Sequence, residues 1–163
     1  MSSASAIALR QAVFPQDTAI AQALLSEYAA SLAVDLAFQD FDAELADLGR
    51  QYGPPRGALF LAEGDGQALG CVGLRGTDAP GIAELKRLYV RPDGRGHALG
   101  RRLSQAAIEA ARTLGYCAVR LDTLPDMRAA QALYAGLGFV EIAPYRHNPV
   151  PGTRYLELLL PTA

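Results

Sequence analysis

The chain has 163 residues and a mass of 17.3 kDa, so we expect one domain over residues 1–163 and exclude a second catalytic domain. Apolar residues make up 50% and charged residues 20%, which is typical of soluble globular domains and excludes a disordered chain. The net charge of −2 argues against a nucleic-acid partner bound through a broad basic face.

The first half of the chain predicts a strand, two helices and a hairpin. Residues 7–13 favour a strand, and apolar side chains that recur every four residues favour a helix from Pro15 onward. A second helix is predicted near residues 40–51, ahead of a Gly-Pro-Pro breaker. Two short apolar runs separated by Gly-Asp-Gly, residues 58–63 and 68–75, are typical of a hairpin.

The second half predicts two helices that alternate with strands. A strand over residues 81–90 leads into a helix over 97–114, which Gly115 caps in a left-handed conformation. The apolar stripe of this helix is expected to be Leu99, Leu103, Ala106, Ala110 and Leu114. The remaining predicted elements are a strand at 117–122, a helix near 127–136 and strands at 139–142 and 154–160.

The predicted element order, β-α-α-β-β-β-α-β-α-β-β, implies a mixed α/β fold. Strands joined by hairpins pair antiparallel, whereas the crossover helix 97–114 makes the strands on either side of it parallel neighbours. We therefore expect a single mixed sheet with helices on both faces.

A basic segment joins a strand to a helix. Six of the 15 basic residues lie in it: Lys86, Arg87, Arg91, Arg95, Arg101 and Arg102. Unpaired N–H groups and the positive end of the helix dipole meet at such a junction, and Gly96 and Gly100 leave room for a phosphate. The segment predicts a site for a small polyanion, although neither GxxxxGK[ST] nor GxGxxG is present.

The runs ELKRLYVRPDGRGHALGRRL and LDTLPDMRAAQALYAGLGF resemble the GNAT superfamily of acetyl-CoA-dependent N-acetyltransferases. The family's pyrophosphate motif, R/Q-x-x-G-x-G/A, corresponds to residues 95–100, with Ala98 in place of the first glycine. The methyl group of Ala98 either crowds the pyrophosphate or is accommodated with a helical φ. The resemblance implies a GNAT-like fold, acetyl-CoA as co-substrate and no metal. It implies coenzyme A contacts from Leu88, Tyr89, Val90, Arg95, Gly96, His97, Ala98, Leu99, Gly100 and Arg101.

The run from Ala132 to Phe139 is similar to the helix and strand that carry the family's general acid. The resemblance implies that Tyr134 protonates the departing coenzyme A thiolate. Read without the family, Tyr134 is a core aromatic whose hydroxyl needs a partner. Met127 stands where the family often has an asparagine that contacts the cofactor.

Glu84 and Asp122 are two candidates for the general base. Glu84 lies six residues before Val90, the spacing at which histone-acetylating members carry their base; the alternative is a structural carboxylate paired with Lys86 or Arg87. Asp122 is either a second candidate base or a turn residue. A backbone N–H near Leu88 is expected to face the thioester oxygen.

Several polar residues are given lesser roles. We expect His97 to make a loop contact, and the loop that carries His147 to line the acceptor pocket. Cys71 and Cys117 are both expected in the core, without a disulfide or zinc site, which disfavours a covalent acetyl-cysteine route.

The charges leave the acceptor open. The acidic residues between positions 15 and 50 have two interpretations. They form the solvated face of helices, or, since these helices lie beside the acceptor cleft in the family, they favour a cationic acceptor. Lys86, Arg87 and Arg146 could equally hold a carboxylate and favour an amino acid.

The predicted activity is transfer of an acetyl group from acetyl-CoA to a primary amine of a small molecule or peptide by direct attack. The alternative is a non-catalytic acyl-CoA-binding sensor. No apolar run reaches the roughly 18 residues of a membrane span and no signal-peptide pattern is present, so we expect a cytoplasmic protein without a membrane partner. A homodimer is left open.

Overall fold

The computed structural model describes residues 6–161, apart from the side chains of residues 38 and 39. The strands are β1 Ala8–Gln11, β2 Ala58–Gly64, β3 Gln67–Gly76, β4 Ile82–Val90, β5 Ala118–Thr123, β6 Val140–Ile142 and β7 Arg154–Leu159. The helices are α1 Thr18–Ser31, α2 Phe41–Ala46, α3 Leu48–Tyr52, α4 Leu99–Thr113 and α5 Arg128–Gly136, with 3-10 turns at Leu36–Gln39 and Pro92–Gly94.

The seven strands form one mixed sheet in the order β1-β2-β3-β4-β5-β7-β6. β4 and β5 pair in parallel, as the crossover through α4 predicts, and the other neighbours pair antiparallel. The β2–β3 hairpin closes through Asp65 and Gly66, both with positive φ (53° and 74°), because this backbone twist matches the twist of the paired strands. The predicted mixed α/β sheet is confirmed.

Each face of the sheet carries its own apolar core. α4 and α5 pack on one face, and α1, α2 and α3 pack on the other. Both faces are therefore covered, as predicted. None of the helices in residues 6–161 is long and apolar enough to cross a membrane.

Two details of the predicted helices are wrong. The helix expected over 40–51 is divided into α2 and α3 at Asp47, whose φ and ψ of −144° and 51° interrupt the helical ladder. In α4 the buried face runs through Leu103, Ala107 and Ala111, whereas Leu114 is 41% exposed. Alanine is accommodated on either face of a helix, so the spacing of the alanines in the sequence did not show which face of α4 is buried.

Candidate active site

The sheet opens between β4 and β5. The two strands pair only at Ile82, Ala83 and Glu84, opposite residues 118–120. Beyond Glu84 they separate, so the edge of β4 that faces β5 leaves its backbone groups to other partners. This opening is a slot into which an extended ligand fits.

A β-bulge shapes the β4 wall of the slot. Gly73 pairs with Lys86 and Cys71 pairs with Tyr89, so β4 carries one extra residue, and Arg87 takes a positive φ of 60°. Arg87 then lies on the face that carries α2, whereas Leu88 packs against the core beneath α4. The bulge thus redirects the side chains beside the slot.

The mouth of the slot holds several polar side chains. Tyr28 comes from α1, Asp122 from the end of β5 and Tyr134 from α5, while Asn148 comes from the loop between β6 and β7. The Asn148 Nδ2 donates to Asp122 Oδ2 at 3.3 Å. Sequence reasoning missed Tyr28 and Asn148, whose place at the mouth depends on the tertiary fold.

Tyr134 lies at the mouth with its ring held by the core. The residue is only 5% exposed, and its ring packs against Phe139 with centroids 5.6 Å apart. Among the residues that the structure describes, none hydrogen-bonds to the Tyr134 hydroxyl, which borders the slot. Burial raises the pKa of Tyr134, so the phenol is protonated at neutral pH and can donate a proton.

The loop before α4 leaves the start of that helix without a side-chain cap. Within residues 6–161 no side chain caps the N-terminus of α4, and its first helical hydrogen bond comes from the Arg102 N–H to the Ala98 carbonyl. The N–H groups of residues 99–101 are therefore left to a ligand. Gly96 has φ of 87° and open space where a side chain would stand, and Arg95 and Arg101 are exposed beside it.

Ala98, the departure from the glycine motif, takes a left-handed conformation with φ of 54°. Of the two alternatives left open for this methyl group, accommodation with an ordinary helical φ is not the one that the structure shows. The turn needs a positive φ to direct the chain into α4, and this methyl group is exposed. His97 is exposed in the same loop, while a Cβ at Gly100 would lie 3.3 Å from Leu133 Cδ2 of α5.

The basic segment is not one cluster, contrary to expectation. Arg91 donates from Nε to Glu27 at 2.9 Å, and Arg102 donates to the carbonyl of Ile7 at 2.8 Å. Lys86 and Arg87 are buried on the sheet. Of the six basic residues, only Arg95 and Arg101 remain exposed beside the start of α4.

Glu84 lies at the point where the slot begins. It is 1% exposed and accepts hydrogen bonds from the Tyr145 hydroxyl at 2.8 Å and from Arg146, with Arg75 3.2 Å away. Burial would raise the pKa of Glu84, but Lys86, Arg146 and Arg75 outweigh it, so its pKa lies below the ordinary value. The carboxylate is ionised at neutral pH.

Arg87 does not pair with Glu84, as one alternative had it, but with Glu44 of α2. The guanidinium donates from Nε and from a terminal nitrogen, both at 3.0 Å, and Tyr52 donates to the same carboxylate at 2.7 Å. Sequence reasoning missed this buried pair. The signal available in the sequence was Glu44 itself, the one charged residue among the helically spaced positions 41, 44, 48 and 52, whose other side chains are apolar or aromatic.

The two cysteines differ, and the expectation that both are core thiols is wrong for one of them. Cys71 is buried on β3, and burial raises the pKa of its thiol to about 12. Cys117 is exposed one residue before β5 begins, because the turn at Gly115 brings it to the surface. It lies five residues from Asp122, roughly 16 Å along a strand, which is too far for chemistry at the mouth of the slot.

The loop between β6 and β7 contributes unevenly. His147 is exposed, whereas Asn148 lines the slot and Tyr145 and Arg146 face a second depression beside Glu84. The loop therefore borders the cleft, but not through His147.

Comparison with known proteins gives concordant matches. Residues 20–139 match the sequence model of the Acetyltransferase (GNAT) family. An uncharacterised N-acetyltransferase of Schizosaccharomyces pombe is 42% identical over 155 residues, 94% of this chain and 95% of that protein. An acetyltransferase of the GNAT family from Staphylococcus aureus has a TM-score of 0.77 at 20% identity, covering 96% of this chain and 100% of that one. The acetyltransferase yncA from Salmonella typhimurium, solved with its cofactor acetyl-CoA, has a TM-score of 0.70 at 21% identity over 97% and 96%.

Proposed function

Because the chain belongs to the Acetyltransferase (GNAT) family and is an acetyltransferase, we propose that it moves an acetyl group from acetyl-CoA to a primary amine of a small molecule or peptide. One observation carries the proposal: β4 separates from β5 beside a cavity lined by Tyr134, and the same strand leads directly through residues 91–98 to the uncapped start of α4.

The residues present fit coenzyme A. The pyrophosphate would lie on the N–H groups of residues 99–101 with Arg95 and Arg101 beside it, since anions bind where helix dipole and free N–H groups coincide. The pantetheine arm would run along the open edge of β4 at Leu88–Val90. When bound, acetyl-CoA supplies an activated acetyl group as a thioester.

The chain's own groups then serve the transfer. A backbone N–H near Leu88, on the stretch of β4 that no longer pairs with β5, would stabilise negative charge on the thioester oxygen. Tyr134 gives its proton to the departing thiolate, and it holds that proton at neutral pH because burial raises its pKa. Asp122 and Asn148, at the same mouth, orient the amine.

Two carboxylates could receive the amine's proton. Glu84 is kept as the proposed base because it is ionised and precedes Lys86 on the wall of the slot, and it would receive the proton through water because it lies about 7 Å or more from that wall. Asp122 stands at the mouth itself and is the second candidate.

The test combines binding with turnover. We expect calorimetry to detect coenzyme A binding, and a mass-spectrometric screen with acetyl-CoA to detect an acetylated amine. Tyr134→Phe keeps the ring and its contact with Phe139, so coenzyme A affinity should persist while kcat falls by roughly 10²- to 10⁴-fold. Tyr116→Phe removes a hydroxyl bonded to the Arg56 carbonyl, away from the slot, and should keep wild-type kcat.

Binding of coenzyme A without transfer to any amine in the screen would identify a sensor and contradict the proposal. Loss of coenzyme A affinity with unchanged kcat in Tyr134→Phe would make the hydroxyl a binding contact instead of the acid.

A further inference from the structure

A groove rich in arginine adjoins the slot on the other side of Glu84. It lies where β4 and β5 are still paired, between α3, the end of β3 and the loop from β6 to β7. We call it the arginine groove and define it by its five arginines, Arg50, Arg56, Arg75, Arg120 and Arg146. Glu84 and Tyr145 also line it.

The charge of the groove is opposite to that of the chain. Five arginines line it against two carboxylates, Asp78 and Glu84, although the chain has a net charge of −2. Arg120 also forms an ion pair, at 2.7 Å, with Glu157, which does not line the groove. Even with that pair counted, positive charge is in excess, and half-buried guanidinium groups in a concave site attract an anion.

Two of the guanidinium groups are held ready for a planar anion. Arg120 and Arg146 both lie against the ring of Tyr145, at 5.6 and 5.3 Å from its centroid. Arg120 bonds Glu157 through Nε, and Arg146 bonds Glu84 through one terminal nitrogen, so the other nitrogens of each fork remain for a ligand. A carboxylate matches this geometry because its two oxygens accept parallel N–H donors.

The distance between the groove and the slot selects the length of the ligand. Glu84 lies opposite Arg120 in the β4–β5 register, at the groove, whereas Lys86 and Leu88 line the slot. At about 3.3 Å per residue, and with the extra residue of the bulge allowed for, these positions lie roughly 7 and 11 Å further along β4. The α-carboxylate of a single amino acid is too close to its amine, whereas an extended peptide of two or three residues spans roughly 7–11 Å.

We propose that the arginine groove binds the carboxylate of the acceptor through Arg120 and Arg146, so that the enzyme favours amines whose carboxylate lies at dipeptide or tripeptide distance. This inference rests on the proposed acetyl transfer. The acceptor therefore carries a negative charge, and a polyamine should be a poor substrate because the arginines of the groove would repel it.

The test compares acceptors that differ only in the carboxylate. Ala-Ala and Ala-Ala-Ala are each compared with their C-terminal amides, and we expect kcat/KM to be at least roughly 10-fold higher for the acids. Arg120→Gln should lower kcat/KM for the acids by roughly 10- to 100-fold, with little change for the amides. Arg146→Gln should lower kcat/KM for the amides as well, because Arg146 is the partner of Glu84, but by less than for the acids. Arg112→Gln, on the exposed side of α4, is the matched control and should change neither.

Binding of N-acetyl-Ala-Ala, measured by calorimetry, tests the groove without turnover. We expect binding that Arg120→Gln weakens by about 10-fold or more, and circular dichroism checks that each variant is folded. Arg146 is bonded to the buried Glu84, so Arg146→Gln is the variant at greater risk of not folding. In that case Arg120→Gln alone tests the groove.

Equal kcat/KM for acids and amides, or a preference for spermidine, would overturn the inference while leaving acetyl transfer intact. A single amino acid preferred over both peptides would overturn the distance argument. If no amine is acetylated, the proposed function fails, and N-acetyl-Ala-Ala binding still decides whether the groove takes a carboxylate.

Discussion

Three acidic residues near the slot show how the partner of a single side chain decides its role. Glu44 bonds to Arg87 and Tyr52, and Glu84 to Arg146, Arg75 and Tyr145. Asp122 accepts a hydrogen bond from the Asn148 amide. All three are carboxylates on neighbouring elements, yet only Asp122 lies at the mouth with a neutral partner. Their chemistry therefore has to be separated by substitution at each position.

We expect Glu84→Gln to lower kcat by roughly 10²- to 10⁴-fold near pH 6–7 and by less near pH 9. At low pH the acceptor is an ammonium and needs a base, whereas at high pH it loses its proton to solvent. Lys86, Arg146 and Arg75 outweigh burial and hold the pKa of Glu84 down, so the wild-type base stays ionised throughout this range. Rate profiles over pH for both proteins measure the difference.

Asp122→Asn is the matched comparison. If that variant shows the pH-dependent loss and Glu84→Gln shows a loss that is uniform with pH, then Asp122 is the base and Glu84 positions Arg146. Both variants keep the size of the side chain and remove one carboxylate charge, so a difference between them reflects the position of that charge.

At the scale of elements, the start of α4 combines a strained residue with the proposed pyrophosphate site. Ala98 is held in the left-handed region, which costs a residue with a Cβ roughly 1–2 kcal/mol, and no side chain in the described part of the chain caps the helix there. This arrangement leaves the first N–H groups of α4 for a ligand at some cost in stability.

Ala98→Gly should raise the free energy of unfolding by up to about 1 kcal/mol, because the relief of strain exceeds the added entropy of the unfolded glycine. Ala106→Gly, in the interior of the same helix, should have the opposite sign and lower it by about 0.5–1 kcal/mol. Urea unfolding of the two variants measures both. A loss of stability in Ala98→Gly would show that the methyl group makes a stabilising contact.

The contact between α2 and the bulge of β4 depends on one buried ion pair. The Glu44 and Arg87 side chains are 2% and 3% exposed. Burial would raise the pKa of Glu44, but the hydrogen bonds and charge of Arg87, the Tyr52 hydroxyl and the charge of Lys86 together outweigh it and lower the pKa overall. The pair joins the helical face of the cleft to the strand that forms the slot.

Glu44→Gln should lower the free energy of unfolding by about 3–5 kcal/mol, since it leaves the buried Arg87 charge without its partner. Asp42→Asn removes an exposed carboxylate from the same helix and should change stability by no more than about 0.5 kcal/mol. Urea denaturation compares them. Similar values for the two variants would mean that water or another group compensates Arg87.

At the scale of the whole molecule, ion pairs connect distant parts of the chain. Arg10 of β1 pairs with Asp17 and Glu63, Arg91 with Glu27, and Arg87 with Glu44. Several acids of the first 50 residues are therefore neutralised within the fold. The hydrogen bonds from Arg10 lower the pKa of Asp17 to about 2, and those from Arg91 lower the pKa of Glu27.

Stability should be nearly constant between pH 5 and 7.5 and fall between about pH 4 and pH 2. These carboxylates have folded pKa values below their unfolded ones, so they stabilise the fold above the unfolded pKa and lose that effect as pH falls through the folded pKa. Urea midpoints at several pH values measure this. Asp17→Asn should have a shallower fall, and an unchanged slope would contradict the role given to Asp17.

Local patterns in the sequence were sufficient for most of the fold. Apolar runs, breakers and the Asp-Gly turn predicted the strands and the order of elements, because each depends on residues close together in the chain. The loop before α4 was proposed as an anion site from its local pattern, and Tyr134 was proposed as the acid from the family resemblance; both roles stay predictions. The single helix expected over 40–51 and the stripe ending at Leu114 failed where packing, not periodicity, sets the conformation.

By itself, then, the amino-acid sequence determined the mixed sheet and the crossover through α4, and it predicted an anion loop and a candidate acid. Tertiary structure decided which charges meet: Glu84 with Arg146, 62 positions apart, and Glu44 with Arg87, 43 positions apart. It also decided that β4 and β5 separate after Glu84 and that arginines from α3, β3, β5 and a late loop share one groove. The physical reason is that ion pairing and burial depend on distance in space, which strand order and sheet twist set for residues remote in the chain.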